Sequence, residues 1–304
     1  MNPTYYGLES VEEDAVNAFL SRMVEDTLWA VQDSGCLLLN EEDGNVEPTT
    51  YGRIASYYYL SHLTMRHFAG EVVAGMSVPD VLRVLCDAHE FAELPVRHNE
   101  DVLNAELAKL LPLPVKHSTL DNPHTKCFLL LQAHLTRAPL PIADYRTDTK
   151  SVMDQCVRVL QAMIDVAADA GLLDTTLQMV HVGQMLRQGL WFDDSTLACV
   201  PHFVDHPDDP IGRLAAATPP IRCLPELMAA AAAGGGRLQT LLGGIFSRKQ
   251  QQEMQEMLQR LPAVDVSLSV MDAQGTAVGP GTTLAADAEY ALKLTLSTRC
   301  VGAC

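Results

Sequence analysis

Apolar residues at helical spacing open the chain. They recur every three or four positions and predict a helix over about residues 11–33, with Ser10 and Glu13 at the spacing of a capping box. A short apolar run, an Asp-Gly turn at 43–44 and a return strand then predict a small hairpin. A helix followed by a hairpin is typical of the end of a winged-helix domain, and residues 1–50 are interpreted in that way.

Helical periodicity continues to about residue 195 and indicates a helical bundle over residues 51–195. Prolines, glycines and capping residues punctuate the pattern, and Asn122 followed by Pro123 is a clear helix start. The predicted helices cover about 50–68, 79–92, 96–111, 122–138, 149–171 and 177–188. The fold class predicted for the chain is therefore mainly α.

The last third of the chain changes character twice. Six of the 17 prolines lie between residues 201 and 225 and mark a boundary. Two further helices, over about 224–233 and 247–261, predict a helix-loop-helix unit at 196–261. Apolar and polar residues then alternate, as in β-strands. A seven-strand sandwich needs roughly 100 residues, and the segment 262–304 is much shorter. The sequence therefore predicts a truncated β domain there.

The composition fits a globular protein and limits its partners. Of the 304 residues 48% are hydrophobic and 19% are charged, which is too apolar for a disordered chain. The net charge is −17, and residues 1–100 carry 17 acidic and 5 basic side chains. Tight binding to duplex phosphates regardless of sequence is therefore not expected, and any nucleic-acid contact should lie after residue 95.

No targeting or membrane segment is expected. The N-terminus has no basic region followed by an apolar core, and the most apolar long stretch, residues 224–246, is interrupted by charged residues and glycines. The eight cysteines are scattered and stand mostly among apolar residues, as buried reduced thiols do. The sequence predicts an intracellular soluble protein with no membrane partner.

The sequence lacks the motifs of the common catalytic, cofactor and metal sites. None of the six lysines follows a glycine, which excludes a phosphate-binding Walker loop, and no Asp is followed by Glu. His202 and His206 stand four residues apart, as do Cys300 and Cys304, but no further ligands flank either pair. We therefore predict no catalytic residue, no cofactor and no metal site.

Three consecutive tyrosines, Tyr57, Tyr58 and Tyr59, could offer a stacking surface for bases, because aromatic rings bind single strands without sequence preference. On a helix, however, three consecutive side chains are spread over about 200°. At least one of these rings, and in our interpretation two, should belong to the core. We favour packing over base stacking.

One predicted helix, over residues 96–111, carries a candidate binding stripe. Arg97, Asp101, Asn104 and Ala108 are spaced i, i+4, i+7 and i+11, opposite the leucines of the same helix. This stripe suits a single-stranded backbone, with Arg97 on a phosphate and Asn104 on a sugar or base. The alternative is an ordinary exposed helix face with an ion pair between Arg97 and Asp101, worth about 0.3–0.5 kcal/mol.

Several segments resemble a known family in the right order. The runs are Asn2–Tyr6 (NPTYY), Tyr51–Leu60 (YGRIASYYYL), Leu94–Asp101 (LPVRHNED), Asp121–Lys126 (DNPHTK), Leu129–Leu135 (LLLQAHL) and the stretch 152–171. They are similar to the Sec-63 (Brl) region of Ski-two-like helicases, over about residues 1–270. The resemblance implies a winged-helix remnant, a helical bundle, a helix-loop-helix unit and an immunoglobulin-like β domain.

The resemblance also implies a function. The chain would be a non-catalytic C-terminal module of an ATP-dependent RNA or DNA helicase, with the helicase ATPase core, single-stranded nucleic acid and subunits of a helicase complex as partners. It implies a nuclear location, with the cytoplasm as a further one, and a link to DNA repair. One bundle helix in such helicases, the ratchet, lies against the translocating strand, and residues 94–111 are the candidate for it here. Arg97, Asp101 and Asn104 are then the predicted nucleic-acid-binding residues.

Departures from the family pattern keep a second hypothesis open. Leu172 stands where the family usually has Trp, residues 202–220 are divergent, and the β domain stops early. The alternative is a stand-alone protein-interaction scaffold that binds no nucleic acid. The acidic first hundred residues suit that hypothesis at least as well.

Overall fold

The computed structural model of the protein describes residues 5, 7, 12–40, 44–204, 206–233 and 236–299. The chain divides into two compact units, Met1–Phe192 and Asp193–Cys304. The described residues are mainly helical, which confirms the predicted fold class. The finer division into four domains stays a prediction.

A helix and a hairpin open the first unit in the predicted order. Helix α1 spans Glu13–Asp33, and strands β1 (Leu37–Leu39) and β2 (Val46–Pro48) pair antiparallel after it. No residue of α1 is fully buried, so its apolar face is only partly covered. The predicted capping residue Ser10 and the turn residue Asp43 lie outside the described residues.

Among the described residues, seven further α-helices belong to the first unit. They are α2 (Thr50–Tyr58), α3 (His62–Glu71), α4 (Val78–Cys86), α5 (Glu100–Ala108), α6 (Pro123–Thr136), α7 (Asp144–Asp169) and α8 (Leu173–Gln188). The start of α6 is as predicted, because the Asn122 side chain accepts a hydrogen bond from the His124 N–H and Pro123 occupies the first turn.

Several predicted helix boundaries are wrong. The helix predicted over 79–92 ends at Cys86 and is followed by a short 3-10 helix, His89–Phe91, and the helix predicted over 149–171 begins earlier, at Asp144. The helix predicted over 50–68 is two helices, because Tyr59 adopts a left-handed conformation (φ 57°) and Ser61 caps α3 by accepting from the Leu63 N–H. The helix predicted over 96–111 is shortened to α5, since Asn99 is left-handed (φ 63°) just before it.

The long helix α7 runs through the middle of the first unit. It packs against α2, α6 and α8, and α4 packs against α6, α7 and α8. The largest wholly buried apolar side chains include Phe68, Leu82, Leu129, Tyr145 and Met163. Because these side chains come from α3, α4, α6 and α7, one core holds the helices of the bundle together.

The second unit has a smaller core and ends in a two-stranded ribbon. Its elements are α9 (Pro210–Ala215), α10 (Leu224–Ala232), α11 (Arg237–Leu242), α12 (Arg248–Arg260), β3 (Ala263–Met271) and β4 (Ala291–Arg299). Helices α10 and α12 confirm the predicted helix pair. Phe203, Leu227, Phe246 and Met254 are buried together in this unit.

The ribbon confirms the predicted alternation of strand residues. Val266 pairs with Leu296 and Leu268 with Leu294, which places these four apolar side chains on one face. Each of them is more than half exposed. Among the described residues, no helix is long and apolar enough to cross a membrane.

Candidate nucleic-acid interface

Arg97 lies in the segment that leads into α5, not on the helix. Asn99 ends that segment and α5 begins at Glu100, whose carboxylate accepts a hydrogen bond from the Arg97 backbone N–H at 3.0 Å. Arg97 therefore shares no helical face with Asp101 and Asn104. The predicted stripe along one helix is wrong.

Arg97 belongs to an ion-pair cluster whose other members are Glu100, Lys126 and Asp148. Lys126, in the first turn of α6, is wholly buried. Its Nζ lies 2.6 Å from Glu100 Oε2, 2.7 Å from Asp148 Oδ2 and 2.6 Å from the carbonyl oxygen of Pro95. The three N–H groups of the ammonium are thus all used, and two carboxylates compensate the buried charge.

The Arg97 side chain closes the cluster from the outside. Its guanidinium donates to both carboxylate oxygens of Asp148, at 2.7 and 3.2 Å, and to Glu100 Oε1 at 2.8 Å. A further carboxylate oxygen, from the exposed Asp144, lies 3.7 Å from Nε. The Arg97 side chain remains 40% exposed, whereas those of Glu100 and Asp148 are almost fully buried. The ion-pair cluster therefore joins α5, α6 and α7 and leaves one cation partly open to solvent.

The two buried carboxylates of the cluster are held in the ionised form. Burial acts to raise the pKa of Glu100, but the hydrogen bonds from Lys126 and Arg97 outweigh it and hold that pKa below its ordinary value. Burial likewise opposes the hydrogen bonds that Arg97 and Lys126 donate to Asp148, and the pKa of Asp148 is also lowered. Both carboxylates are therefore charged at neutral pH.

The lowered pKa values predict acid sensitivity of the first unit. A carboxylate whose pKa is lower in the folded than in the unfolded state stabilises the fold above its unfolded pKa, and this stability is lost as the pH falls through the folded pKa. We expect the free energy of unfolding to fall between about pH 4 and the lower pKa values of Glu100 and Asp148. Urea unfolding at several pH values, followed by fluorescence of Trp29 and Trp191, measures the acid slope, that is, the change in the free energy of unfolding with pH.

Replacement of one carboxylate provides the control. Glu100→Gln should make the acid slope shallower, whereas Glu106→Gln, on the exposed face of α5, should leave it unchanged. An equal slope in wild type and Glu100→Gln would show that Glu100 does not contribute to acid sensitivity.

Asn104 lies in the core, contrary to its predicted place beside a nucleic-acid strand. It is wholly buried, its Nδ2 donates to the Leu120 carbonyl at 2.8 Å, and its Oδ1 accepts from the Tyr145 hydroxyl at 2.7 Å. The face of α5 that includes Asn104 and Leu107 is turned inward. The polarity of an amide predicts exposure, but here buried hydrogen-bond partners satisfy the amide.

The exposed face of α5 is acidic. Asp101 and Glu106 are exposed, and Val102 between them is 57% exposed. Carboxylates repel phosphates, so this face does not suit a ratchet that lies against a nucleic-acid strand. Of the three predicted binding residues, only Arg97 combines a positive charge with partial exposure.

The three consecutive tyrosines differ in exposure. Tyr58 is half-buried and its hydroxyl donates to Asp165 on α7 at 2.8 Å. Partial burial and this hydrogen bond raise the pKa of Tyr58 to about 12. Tyr57 and Tyr59 are 81% and 89% exposed. The prediction that two of the rings pack is therefore wrong, because α2 ends at Tyr58 and turns Tyr59 outward.

The two histidines of the second unit that stand four residues apart have separate partners. His202 Nε2 lies 2.6 Å from Glu253 Oε2, while the His206 ring packs against the Phe246 ring with 4.8 Å between centroids. In the part of the chain that the structure describes, no group of three or more His, Cys, Asp or Glu side chains could hold a metal ion.

The role of Lys126 in the ion-pair cluster was not predicted from the sequence, although the sequence contains a signal for a buried lysine there. Helix α6 is almost continuously apolar after its first turn, and Lys126 and Gln132 are wholly buried polar residues within it. A lysine in such a helix requires carboxylate partners from other elements. The sequence does not say which carboxylates supply them.

Comparison with known proteins gives the same family as the motifs. Residues 48–299 match the Sec63 Brl domain. The chain is 44% identical over 278 residues to activating signal cointegrator 1 complex subunit 3 of Bos taurus, which covers 89% of this chain and 13% of that protein. It is 46% identical over 201 residues to the DExH-box ATP-dependent RNA helicase DExH14 of Arabidopsis thaliana, covering 66% and 9%.

A yeast protein shows the same relation. The RQC trigger complex helicase SLH1 of Saccharomyces cerevisiae is 42% identical over 208 residues, covering 66% of this chain and 10% of that protein. The chain thus spans 13% or less of the length of these relatives. Since the Sec63 Brl match extends over most of the chain and includes the segments that form the ion-pair cluster, the chain belongs to the Sec63 Brl domain family.

Proposed function

We propose that this chain is a non-catalytic accessory module of an ATP-dependent helicase, which supports the ATPase core and guides single-stranded RNA or DNA. Two of its relatives are described as helicases, and the chain corresponds to a small part of each. The chain lacks a Walker loop, so ATP hydrolysis would belong to an ATPase core on the same polypeptide or in trans. Other partners would be subunits of a helicase complex, in the nucleus or in the cytoplasm.

The observation that carries the nucleic-acid part of this proposal is that Arg97 is both held in place and partly exposed. Two buried carboxylates orient its guanidinium, and 40% of the side chain is open to solvent. A cation held in a fixed direction loses little entropy when it binds a phosphate. The exposed Asp144 carboxylate, 3.7 Å away, would compete with that phosphate.

A pair of variants tests the assignment of Arg97. The affinity for fluorescein-labelled 15-mers of uridine RNA and thymidine DNA is measured by fluorescence anisotropy. Arg97→Ala should weaken binding by about 1–3 kcal/mol, because it removes the phosphate contact. Asp144→Asn should leave binding unchanged or tighten it, because it removes the competing charge and does not alter the buried part of the ion-pair cluster.

The second variant separates loss of contact from loss of structure. Circular dichroism of both variants establishes that the helices are retained. Equal affinity of wild type and folded Arg97→Ala would remove Arg97 from the interface, and weaker binding by Asp144→Asn would show that Asp144 does not compete with the strand.

The acidic first hundred residues favour a second candidate function, a protein-interaction scaffold. A scaffold that binds proteins alone would bind neither oligonucleotide. Binding of single strands that weakens as salt rises separates the two functions, since release of counterions from phosphates accompanies only the first.

A further inference from the structure

Two tyrosine rings project from the first unit at the end of α2. Tyr57 is 81% exposed and Tyr59 is 89% exposed, the highest value among the large apolar side chains of the described residues. The ring of Tyr58 meets that of Tyr57 edge to face, with 4.8 Å between the centroids. Tyrosine is enriched at protein interfaces, so a pair of exposed tyrosine rings is a candidate contact surface.

Helix α7 fixes the turn that presents these rings. Arg158 Nη1 donates to the carbonyl oxygens of Tyr58 and Tyr59, at 2.8 and 2.5 Å. The Tyr58 hydroxyl donates to Asp165, which lies about two helical turns after Arg158 on α7. Tyr59 itself has a φ of 57°, which is unfavourable for a bulky side chain and is maintained by these contacts. The two exposed rings are therefore held in a defined arrangement.

The exposed stripe of helix α7, which holds this turn in place, is mainly acidic. Asp165 belongs to this stripe of residues at helical spacing along α7. The other members are Asp154, Arg158, Gln161 and Asp169, of which Arg158 is partly exposed and the rest are exposed. Arg158 is engaged with the Tyr58 and Tyr59 carbonyls, and Arg53, one turn before Tyr57, donates to the Pro48 carbonyl. The carboxylates of the stripe outnumber its single cation, so it attracts positive groups and repels phosphates.

We propose that Tyr57 and Tyr59, with the acidic stripe of α7 beside them, form a docking site for an arginine-rich segment of a partner protein. A guanidinium stacks on a tyrosine ring through cation–π attraction, and the neighbouring carboxylates strengthen its approach. A nucleic-acid strand could use the rings for stacking, but its phosphates would meet the same carboxylates. The site shares no residue with the ion-pair cluster of Arg97 and goes beyond the proposed helicase function.

A peptide of defined composition tests the proposal. A fluorescein-labelled peptide of six Arg-Ser repeats is titrated with the 304-residue chain at low salt, and binding is followed by anisotropy. We expect wild type to bind, and the double variant Tyr57→Ala/Tyr59→Ala to bind at least about tenfold more weakly, since both stacking contacts are lost. The variant Tyr57→Phe/Tyr59→Phe should bind within about twofold of wild type, because a phenyl ring retains cation–π attraction.

Matched controls give each outcome a meaning. Trp29→Ala removes a half-exposed aromatic ring from α1 and should leave binding unchanged, and a peptide of six Glu-Ser repeats should not bind. The proposal is overturned if wild type does not bind the Arg-Ser peptide or if the folded double alanine variant binds it as well as wild type. Loss of uridine 15-mer binding in the double alanine variant, with Arg-Ser binding unchanged, would assign the rings to nucleic acid instead.

Discussion

Lys126→Met should lower the free energy of unfolding of the first unit by about 3–5 kcal/mol, because it leaves Glu100 and Asp148 buried without their closest cation. Methionine fills nearly the same space as lysine, so the expected drop in stability comes from the missing charge and not from poorer packing. Arg97 remains to compensate part of the charge. The measurement is urea unfolding followed by tryptophan fluorescence, which reports on this unit since both tryptophans, Trp29 and Trp191, lie in it.

Lys150→Met is the matched control. Lys150 lies on α7 and is exposed, so the same substitution there should change the stability by less than about 0.5 kcal/mol. A Lys126→Met variant as stable as the Lys150→Met variant would contradict the assignment of the ion-pair cluster as the link between α5, α6 and α7.

Gly52→Ala should destabilise the junction of the hairpin and the bundle by about 1–3 kcal/mol or more. A Cβ atom at Gly52 would overlap the carbonyl oxygen of Cys36, so the backbone of one element must move. That carbonyl cannot move freely, because it accepts a hydrogen bond from the Thr49 N–H, and Thr49 in turn caps α2. Thermal unfolding followed by circular dichroism measures the loss.

Gly70→Ala separates this contact from the general effect of replacing a helical glycine. Gly70 lies in α3 with nothing within 4 Å of the position of its Cβ, so alanine should leave stability unchanged or raise it by up to about 1 kcal/mol. Equal effects of the two substitutions would mean that the close approach of Gly52 to Cys36 is not required.

The predictions from sequence succeeded where one local pattern determines the structure. The Asn122-Pro123 start of α6 and the alternation in β3 and β4 are local, and both were predicted correctly. The break after Tyr58 was not predicted, because the helical pattern of apolar residues continues across it. There Ser61 competes as a cap, and Arg158, a hundred residues away in sequence, stabilises the turn.

The candidate site was harder to predict, since it depends on contacts between distant residues. Arg97 stands out in sequence, but whether it meets a phosphate or a carboxylate depends on Asp148 in α7. Asn104 shows the converse error, because a polar side chain was assigned to solvent when Tyr145 and Leu120 supply its hydrogen bonds. The spacing of polar residues predicts the exposed face of a helix only where those residues are exposed. In a buried polar network, polar residues lie on the buried face and the prediction fails.

The most direct test of the proposed function is the salt dependence of single-strand binding by the 304-residue chain. The dissociation constant for a fluorescein-labelled uridine 15-mer is measured at 50 and 200 mM salt. A module that guides a strand and contacts two or three phosphates should bind it at the lower salt and lose about tenfold in affinity at the higher. No binding at 50 mM salt, or an affinity that does not change with salt, would contradict nucleic-acid guidance and favour the scaffold.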